Sequence, residues 1–263
     1  MNNTLIKGLK LLEVLAYQVR PMGVTELAAA TGMPKSGAHR LLQALLDESY
    51  VVRRSEGSYA ASMKLWEIAS AALPGFDLCR RARPVMEALA SQTGETVHLA
   101  VLDGDQVVYV HKVMGRDKAD SSAPVGTRAP AHCVATGKAM LAFKTKEQLL
   151  QVASALRPIT SRTITDSDTF LGQMHAIRRD GYAVTKGEWR EGFSGVAAPV
   201  FGQAGEVSTA IGVSGSCAAL SAERIERLAC QVKAAARQLS VHSQASGPQS
   251  ILLNVMRDWQ PIA

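Results

Sequence analysis

Gly32-Met33-Pro34 is the punctuation that most restricts the N-terminal third of this chain. Glycine ends a helix by taking up left-handed backbone, and proline suits the start of one, where its missing N–H is not needed. The tripeptide therefore forbids one long helix across residues 24–49 and requires two short ones joined by a tight turn. Upstream, Leu5, Leu9, Leu12 and Ala16 recur at helical spacing, Leu11, Val14 and Leu15 widen that face, and Pro21 and Gly23 stop the run. Thr25 is placed to cap the second helix, whose inner face is Leu27, Ala28 and Ala30. The third helix runs to about Ser49 with Ala38, Leu41, Leu42 and Leu45 inside, while Lys35, Ser36, His39, Arg40 and Gln43 lie opposite, with no acid before Asp47. Such a face is either a solvated surface or a helix that reads the major groove.

The following residues favour the second reading. Tyr50-Val51-Val52-Arg53-Arg54 and Ser58-Tyr59-Ala60-Ala61 are short extended runs around Glu56-Gly57, a hairpin signal that completes a winged helix-turn-helix. Arg53 and Arg54 on the wing are placed to hold phosphates, which supply affinity without sequence information. Charge agrees. The chain carries 29 − 23 = +6, and residues 1–85 hold 11 basic and 7 acidic side chains, a share of +4. No apolar run reaches the roughly 18 residues of a membrane helix, and Lys7, Lys10 and Glu13 interrupt any leader-like core. The four cysteines, Cys79, Cys133, Cys217 and Cys230, form no C-x-x-C pair. A cytoplasmic protein with reduced thiols is expected.

Met63–Leu73 has Leu65, Ile68, Ala69 and Ala72 on one face and meets a break at Pro74-Gly75. A further helix carrying Met86, Leu89 and Ala90 is expected to start near Pro84 and stop at Gly94, with Arg80, Arg81 and Arg83 between the two. An apolar connecting helix commonly packs against its own copy in a dimer.

Beyond it, strands are expected at Thr96–Leu102 and Gln106–Val113 about the turn Asp103-Gly104-Asp105, then at Tyr182–Thr185, Val196–Phe201 and Ser208–Ser214. Helices are expected over Gly137–Lys144, Lys146–Ala155, Thr169–Asp180 and Ser221–Ser243. Hairpins mixed with helices predict an α+β domain on an antiparallel sheet. Catalytic patterns fail. Gly212-Val213-Ser214-Gly215-Ser216 misses the nucleophile elbow because position 216 is Ser. Thr136-Gly137-Lys138-Ala139 lacks the glycine, at His132, and the hydroxyl, at Ala139, of a phosphate loop. His98, His111, His132 and His175 have no metal-ligand spacing, and Glu188 with Glu191 reads as exposed carboxylates. No catalytic residue, metal or cofactor is expected.

Two sets of residues carry a resemblance. Val24-Thr25-Glu26-Leu27-Ala28, Thr31-Gly32-Met33-Pro34-Lys35-Ser36 and His39-Arg40-Leu41-Leu42 resemble the DNA-binding signature of IclR-type bacterial transcriptional regulators, with Gly37 where that family usually has Thr or Ala. Gly94-Glu95-Thr96-Val97-His98-Leu99, Ala129-Pro130-Ala131-His132, Gly137-Lys138-Ala139, Arg179-Asp180-Gly181-Tyr182, Gly187-Glu188, Gly192 and Val196-Ala197-Ala198-Pro199-Val200 resemble the family's effector domain in consistent order. The resemblance implies a winged helix-turn-helix over 1–62, a linker helix over 63–80, a GAF-like effector domain over 81–245 and a tail over 246–263. It implies a repressor that binds a near-palindromic double-stranded DNA operator as a homodimer or homotetramer, controls catabolic genes and responds to a small organic acid. Lys35, Ser36, His39, Arg40 and Gln43 would read or hold the operator with Arg53 and Arg54. The pocket would include His132, Ala135, Thr136, Thr185, Gly195, Gly212 and Ser214. Members that bind two- or three-carbon oxoacids tend to have Asp, Cys and Ser at the positions of Thr185, Gly195 and Gly212, so a bulkier or aromatic acid is expected here. An enzyme acting on a small carboxylate, with the N-terminal unit as a docking module, is the alternative.

Overall fold

The computed structural model describes residues 3–18, 20–72, 75–116 and 123–244. The chain divides into two compact units, Met1–Pro74 and Gly75–Ala263; the expected tail over 246–263 lies outside the described residues.

The first unit contains α1 (Asn3–Tyr17), α2 (Val24–Thr31), α3 (Lys35–Asp47), β1 (Val51–Arg53), β2 (Tyr59–Ala61) and α4 (Lys64–Ala72). α1 turns a different stripe inward from the one its strongest periodicity predicts. Gly8, Leu11 and Leu15 are buried, whereas Leu5 and Leu9 are 60% and 51% exposed. The helix is apolar on two sides, and only the stripe bearing Gly8 can approach Leu41 on α3. Thr25 is not the cap expected of it. Gly23 stands at the N-cap of α2, and Glu26 Oε2 accepts its N–H at 3.1 Å. Ala30 is exposed, leaving Leu27 and Ala28 as the buried face of this helix. α2 ends on Gly32 at φ 66°, the left-handed conformation that glycine tolerates at no cost, and Pro34 caps α3 with extended backbone. Leu11, Leu15, Leu27, Ala38, Leu42, Val51 and Tyr59 then close one small core.

The helix expected over Met63–Leu73 is α4, and the next helix, α5 (Gly75–Thr93), begins at the expected break and belongs to the second unit. It does not begin at Pro84. Pro84 lies inside α5, where it has no N–H for the Arg80 carbonyl. The helix continues because Ala82, Met86, Leu89 and Ala90, all buried, gain more from packing than one lost hydrogen bond costs.

The second unit continues with β3 (Thr96–Asp103), β4 (Gln106–Val113), β5 (Arg128–Pro130), α6 (Ala135–Leu141), α7 (Lys146–Ser154), α8 (Ser167–Asp180), β6 (Ala183–Lys186), β7 (Phe193–Phe201), β8 (Val207–Ser216) and α9 (Ala222–Gln244). The strands form one antiparallel sheet in the order β5-β4-β3-β8-β7-β6. Side chains alternate between its faces. Val97, Leu99, Val196, Ala198, Val200, Ile211 and Val213 point one way and pack on α5 and α9. The other face offers Ala100, Ala183, Ala197 and Ala210 to α6, α7 and α8. These small residues let α6 lie close to the sheet. Gly137 adds to this, since a Cβ there would run into the backbone of Ala131. Arg224 pairs with the fully buried Glu95 at 2.7 Å and also donates to the Thr93 carbonyl at 3.1 Å, joining α9 to the entry of β3.

Replacing Gly137 by Ala would therefore overpack the α6 junction and lower stability by about 3 kcal/mol. A urea midpoint within error of the parent's, at unchanged slope, would contradict this packing.

Candidate functional site

Two surfaces gather the residues singled out from sequence. The first lies on the N-terminal unit. Ser36, His39, Arg40 and Gln43 follow i, i+3, i+4, i+7 along α3 and are all exposed, with Lys35 beside them in its first turn. Gln43 Nε2 donates to Asp47 Oδ1 at 2.9 Å, which orients its amide on the exposed face. A Cβ at Gly37 would meet nothing within 4 Å, so glycine is not a packing requirement here, and its bare backbone leaves room for close approach from outside. Arg53 and Arg54 are exposed on the wing. β1 and β2 pair from Val51 with Ala61 to Arg53 with Tyr59, and the turn between them carries Glu56 and Gly57 at φ 61° and 71°. The Arg54 N–H binds the Ser58 carbonyl at 2.8 Å and fixes the wing's tip.

The second surface is a cavity in the C-terminal unit, with about 590 Å³ of empty space that includes its open mouth. Sheet register builds its floor. Thr185 faces Gly195, Gly195 faces Ser214, and Gly212 faces both Ala197 and His98, so neighbouring strands present one face of small and polar groups. α6 forms the opposite wall. The N–H groups of Ala135 and Thr136 lie in the first turn of this helix, outside its i→i−4 ladder, and its N-cap Val134 makes no side-chain capping bond. Among the described residues Thr136 Oγ1 is buried without a hydrogen-bond partner; it lies near the Tyr109 phenol but outside full bonding geometry.

Ala135, Thr136, Thr185, Gly195, Gly212 and Ser214 thus line one cavity, gathered from three strands and one helix start. His132 does not. It is buried, and its Nε2 meets the Arg157 carbonyl at 3.0 Å. Gly212 is there for packing rather than for room, because a Cβ would press on Ala197 Cβ at 2.7 Å and the Val196 carbonyl at 2.9 Å. At Gly195 the same atom would stand 3.3 Å from Ala135 Cβ and 3.4 Å from Thr185 Oγ1, tight but not barred, so this glycine does add space.

The lining also holds groups that sequence reasoning did not assign to it. His98 Nε2 lies 2.9 Å from Ser214 Oγ, and its ring sits 5.0 Å from that of Tyr109, which in turn is 6.1 Å from Trp189. Arg190 stacks over Trp189 at 4.3 Å. Burial pushes the Tyr109 phenol up to about 12, so it stays a protonated donor. Burial, aided by the nearby Glu188 carboxylate, also pushes the Cys133 thiol up to about 12. Glu188 meets Lys138 Nζ at 2.5 Å, with Gln173 Oε1 2.8 Å from the same ammonium. Glu188 is therefore not the exposed carboxylate expected from sequence. His98 and Glu188 were visible as members of conspicuous motifs; the signal for Trp189 was its rarity, one of 3 tryptophans, set between Glu188 and Gly192.

Comparison with known proteins accounts for both surfaces. The model of the IclR helix-turn-helix domain matches residues 4–55, and that of the bacterial transcriptional regulator IclR C-terminal domain matches residues 70–241. The chain belongs to the IclR family. It is a transcriptional regulator with a DNA-binding helix-turn-helix, and its relatives are regulators rather than enzymes. It is 32% identical to the HTH-type transcriptional regulator KdgR of Escherichia coli over 241 residues, covering 90% of this chain and 91% of that protein. It is 29% identical to the acetate operon repressor of Salmonella typhimurium, covering 90% and 89%. An IclR homologue from Microbacterium hydrocarbonoxydans, solved in complex with 4-hydroxybenzoate, shares the fold at a TM-score of 0.80 and 23% identity, covering 93% of this chain and 100% of that one. In IclR-family terms α2, the turn at Gly32–Pro34 and α3 form the helix-turn-helix, which β1 and β2 extend with a wing, and the cavity lies in the C-terminal domain. Ser214 with His98 has the reach of a nucleophile and base, yet Ser214 sits within β8 rather than on a strained turn into a helix.

At about pH 8, iodoacetamide is expected to label exposed Cys230 well before Cys133 in the folded regulator. Equal labelling, read by peptide mass mapping, would contradict a buried, protonated Cys133.

Proposed function

We propose that this IclR-family regulator is a cytoplasmic repressor of catabolic genes that releases a near-palindromic operator when an aromatic carboxylate enters the cavity. The observation that carries the reading is the lining itself: Tyr109, Trp189, Phe193 and His98 supply ring faces, while the unpaired hydroxyl of Thr136 and the open amides of α6 offer donors to a carboxylate. The fold relative that holds 4-hydroxybenzoate agrees in ligand class, and the acetate operon relative agrees in being a repressor. On this reading Ala135, Thr136, Thr185, Gly195, Gly212 and Ser214 contact or shape the effector site. Lys35, Ser36, His39, Arg40 and Gln43 meet the operator in the major groove, and Arg53 and Arg54 hold phosphates. The operator is read by a homodimer, which can pair into a tetramer, with half-sites one helical turn of about 34 Å apart. Ile6 and Leu9 on α1 and Ile68 on α4, with Met63 beside it, are exposed apolar groups on the DNA-binding unit, a surface suited to a second copy. Effector occupancy acts on the DNA-binding units through the α4–α5 segment, with a coupling of about 1–3 kcal/mol.

The test is operator binding upstream of the regulator's own gene, titrated with benzoate, 4-hydroxybenzoate and glyoxylate. An aromatic acid should change operator affinity by about five-fold or more, and glyoxylate should not. Tight glyoxylate binding without aromatic-acid binding by calorimetry would overturn the ligand class. Arg54→Ala should weaken binding to all duplexes alike and reduce the salt slope by about 1. Loss of sequence preference with unchanged nonspecific binding would contradict a phosphate contact.

A further inference from the structure

Lys138 is fully buried on α6 and is not part of the cavity lining, yet its ammonium touches the one carboxylate that lines the cavity among the described residues. Glu188 lines the cavity, and among the described lining residues the other charged group is Arg190, which is exposed. Left alone, the carboxylate would place a negative charge in a low-dielectric wall a few ångströms from any bound acid, where screening by water and salt is weak. The pair at 2.5 Å removes that field at its source. The segment bearing Glu188 is also held from outside. Thr163 Oγ1 donates to the Glu188 carbonyl at 2.6 Å and Thr160 Oγ1 to the Gly187 carbonyl at 2.7 Å. The backbone thus stays in place when the ion pair is altered, and charge can be varied separately from shape. The other groups around the pair are His132 and Cys133 before α6, Gln173 on α8, Arg162 against Gly187, and Lys186 on β6. None of these reaches Glu188 Oε2 as Lys138 does.

We propose that Lys138 is a specificity-determining positioning residue: by cancelling the charge of Glu188 from behind the wall, it makes the cavity permissive to an anionic effector. This inference rests on the reading of the cavity as the effector site, but the charge it concerns can be measured without the effector. Trp189 lines the same cavity and is half-buried, so quenchers reach it. In a full-length Trp66→Phe/Trp259→Phe background, quenching of Trp189 by iodide, an anion, is compared with quenching by neutral acrylamide. Lys138→Gln should lower the iodide-to-acrylamide ratio roughly two-fold at about pH 8.5, where the unpaired Glu188 is ionised. Glu188→Gln should raise the ratio at about pH 6.5 by leaving the ammonium uncompensated, and the double variant should return it to the parent value. Glu188→Gln carries the test alone if Lys138→Gln does not fold. An unchanged ratio in the single variants, or both quenchers shifting together, would overturn the inference in favour of a purely structural ion pair. A benzoate titration of the same proteins separates the two claims. If the ratios move as stated while the parent binds no aromatic acid, the charge role of Lys138 stands and the effector assignment fails.

Discussion

The C-terminal domain depends on a sheet whose two faces bury residues of different size. Valine, isoleucine and leucine on one face are clamped by α5 and α9. The opposite face is mostly alanine, glycine, serine and threonine, so helices on that side approach the backbone closely where they touch it and leave a hollow where they do not. The same economy of side-chain volume explains why α6 needs Gly137 and why β8 needs Gly212. The cavity is the space left over when a rigid, well-packed layer is faced by a thinly covered one. Its walls are held by structure that extends beyond the cavity, including the buried Lys138–Glu188 pair and the threonine bonds from residues 160 and 163. A buried ion pair of this kind contributes little net stability, since desolvating both charges offsets their attraction. Its value here lies in placing a neutralised carboxylate at a fixed point.

In the DNA-binding unit the equivalent organising feature is the joint at the end of α3. Ser49 adopts φ 62°, a left-handed position usually filled by glycine, and the Tyr50 N–H returns to the Leu45 carbonyl at 2.8 Å. Two carbonyls freed by this turn are captured from the start of α4. Ser62 Oγ donates to Ser49 O, and Lys64 Nζ donates to Glu48 O at 2.6 Å while lying over the Tyr50 ring. A cation at a helix C-terminus is favoured by the helix dipole. The recognition helix and α4 are therefore joined by hydrogen bonds within one unit, so a displacement of α4 carries α3 with it.

Much of this was legible in the amino-acid order. Gly32 and Pro34 delimited the turn between α2 and α3, and the strands expected at Gln106–Val113 and Ser208–Ser214 form as β4 and β8. What failed did so for physical reasons. Pro84 signals a helix start only locally; burial of Met86 and Leu89 overrides it. β5 is three residues ending in proline at a sheet edge, too short to show a period. The inward stripe of α1 was ambiguous because that helix is apolar on two sides, and contact with Leu41 decides between them. At the site, strand positions such as Thr185, Gly195 and Ser214 were placed together only through the resemblance to the family, because the register that joins them is set by strand pairing between distant segments. His132 lies outside the cavity lining because adjacency in sequence to the cavity loop does not say which way a ring turns, and the Arg157 carbonyl it meets is 25 residues away. Tyr109 and Trp189 meet only through tertiary packing.

The central claim is that a small aromatic acid occupies the cavity between α6 and the sheet. Amide hydrogen exchange of the full-length regulator with and without benzoate tests it most directly, because exchange reports protection residue by residue. The account predicts slowed exchange in residues 131–137, 187–196 and 209–214, the segments that wall the cavity. Unchanged exchange in these segments at saturating benzoate, or slowing confined to residues 3–72, would contradict it.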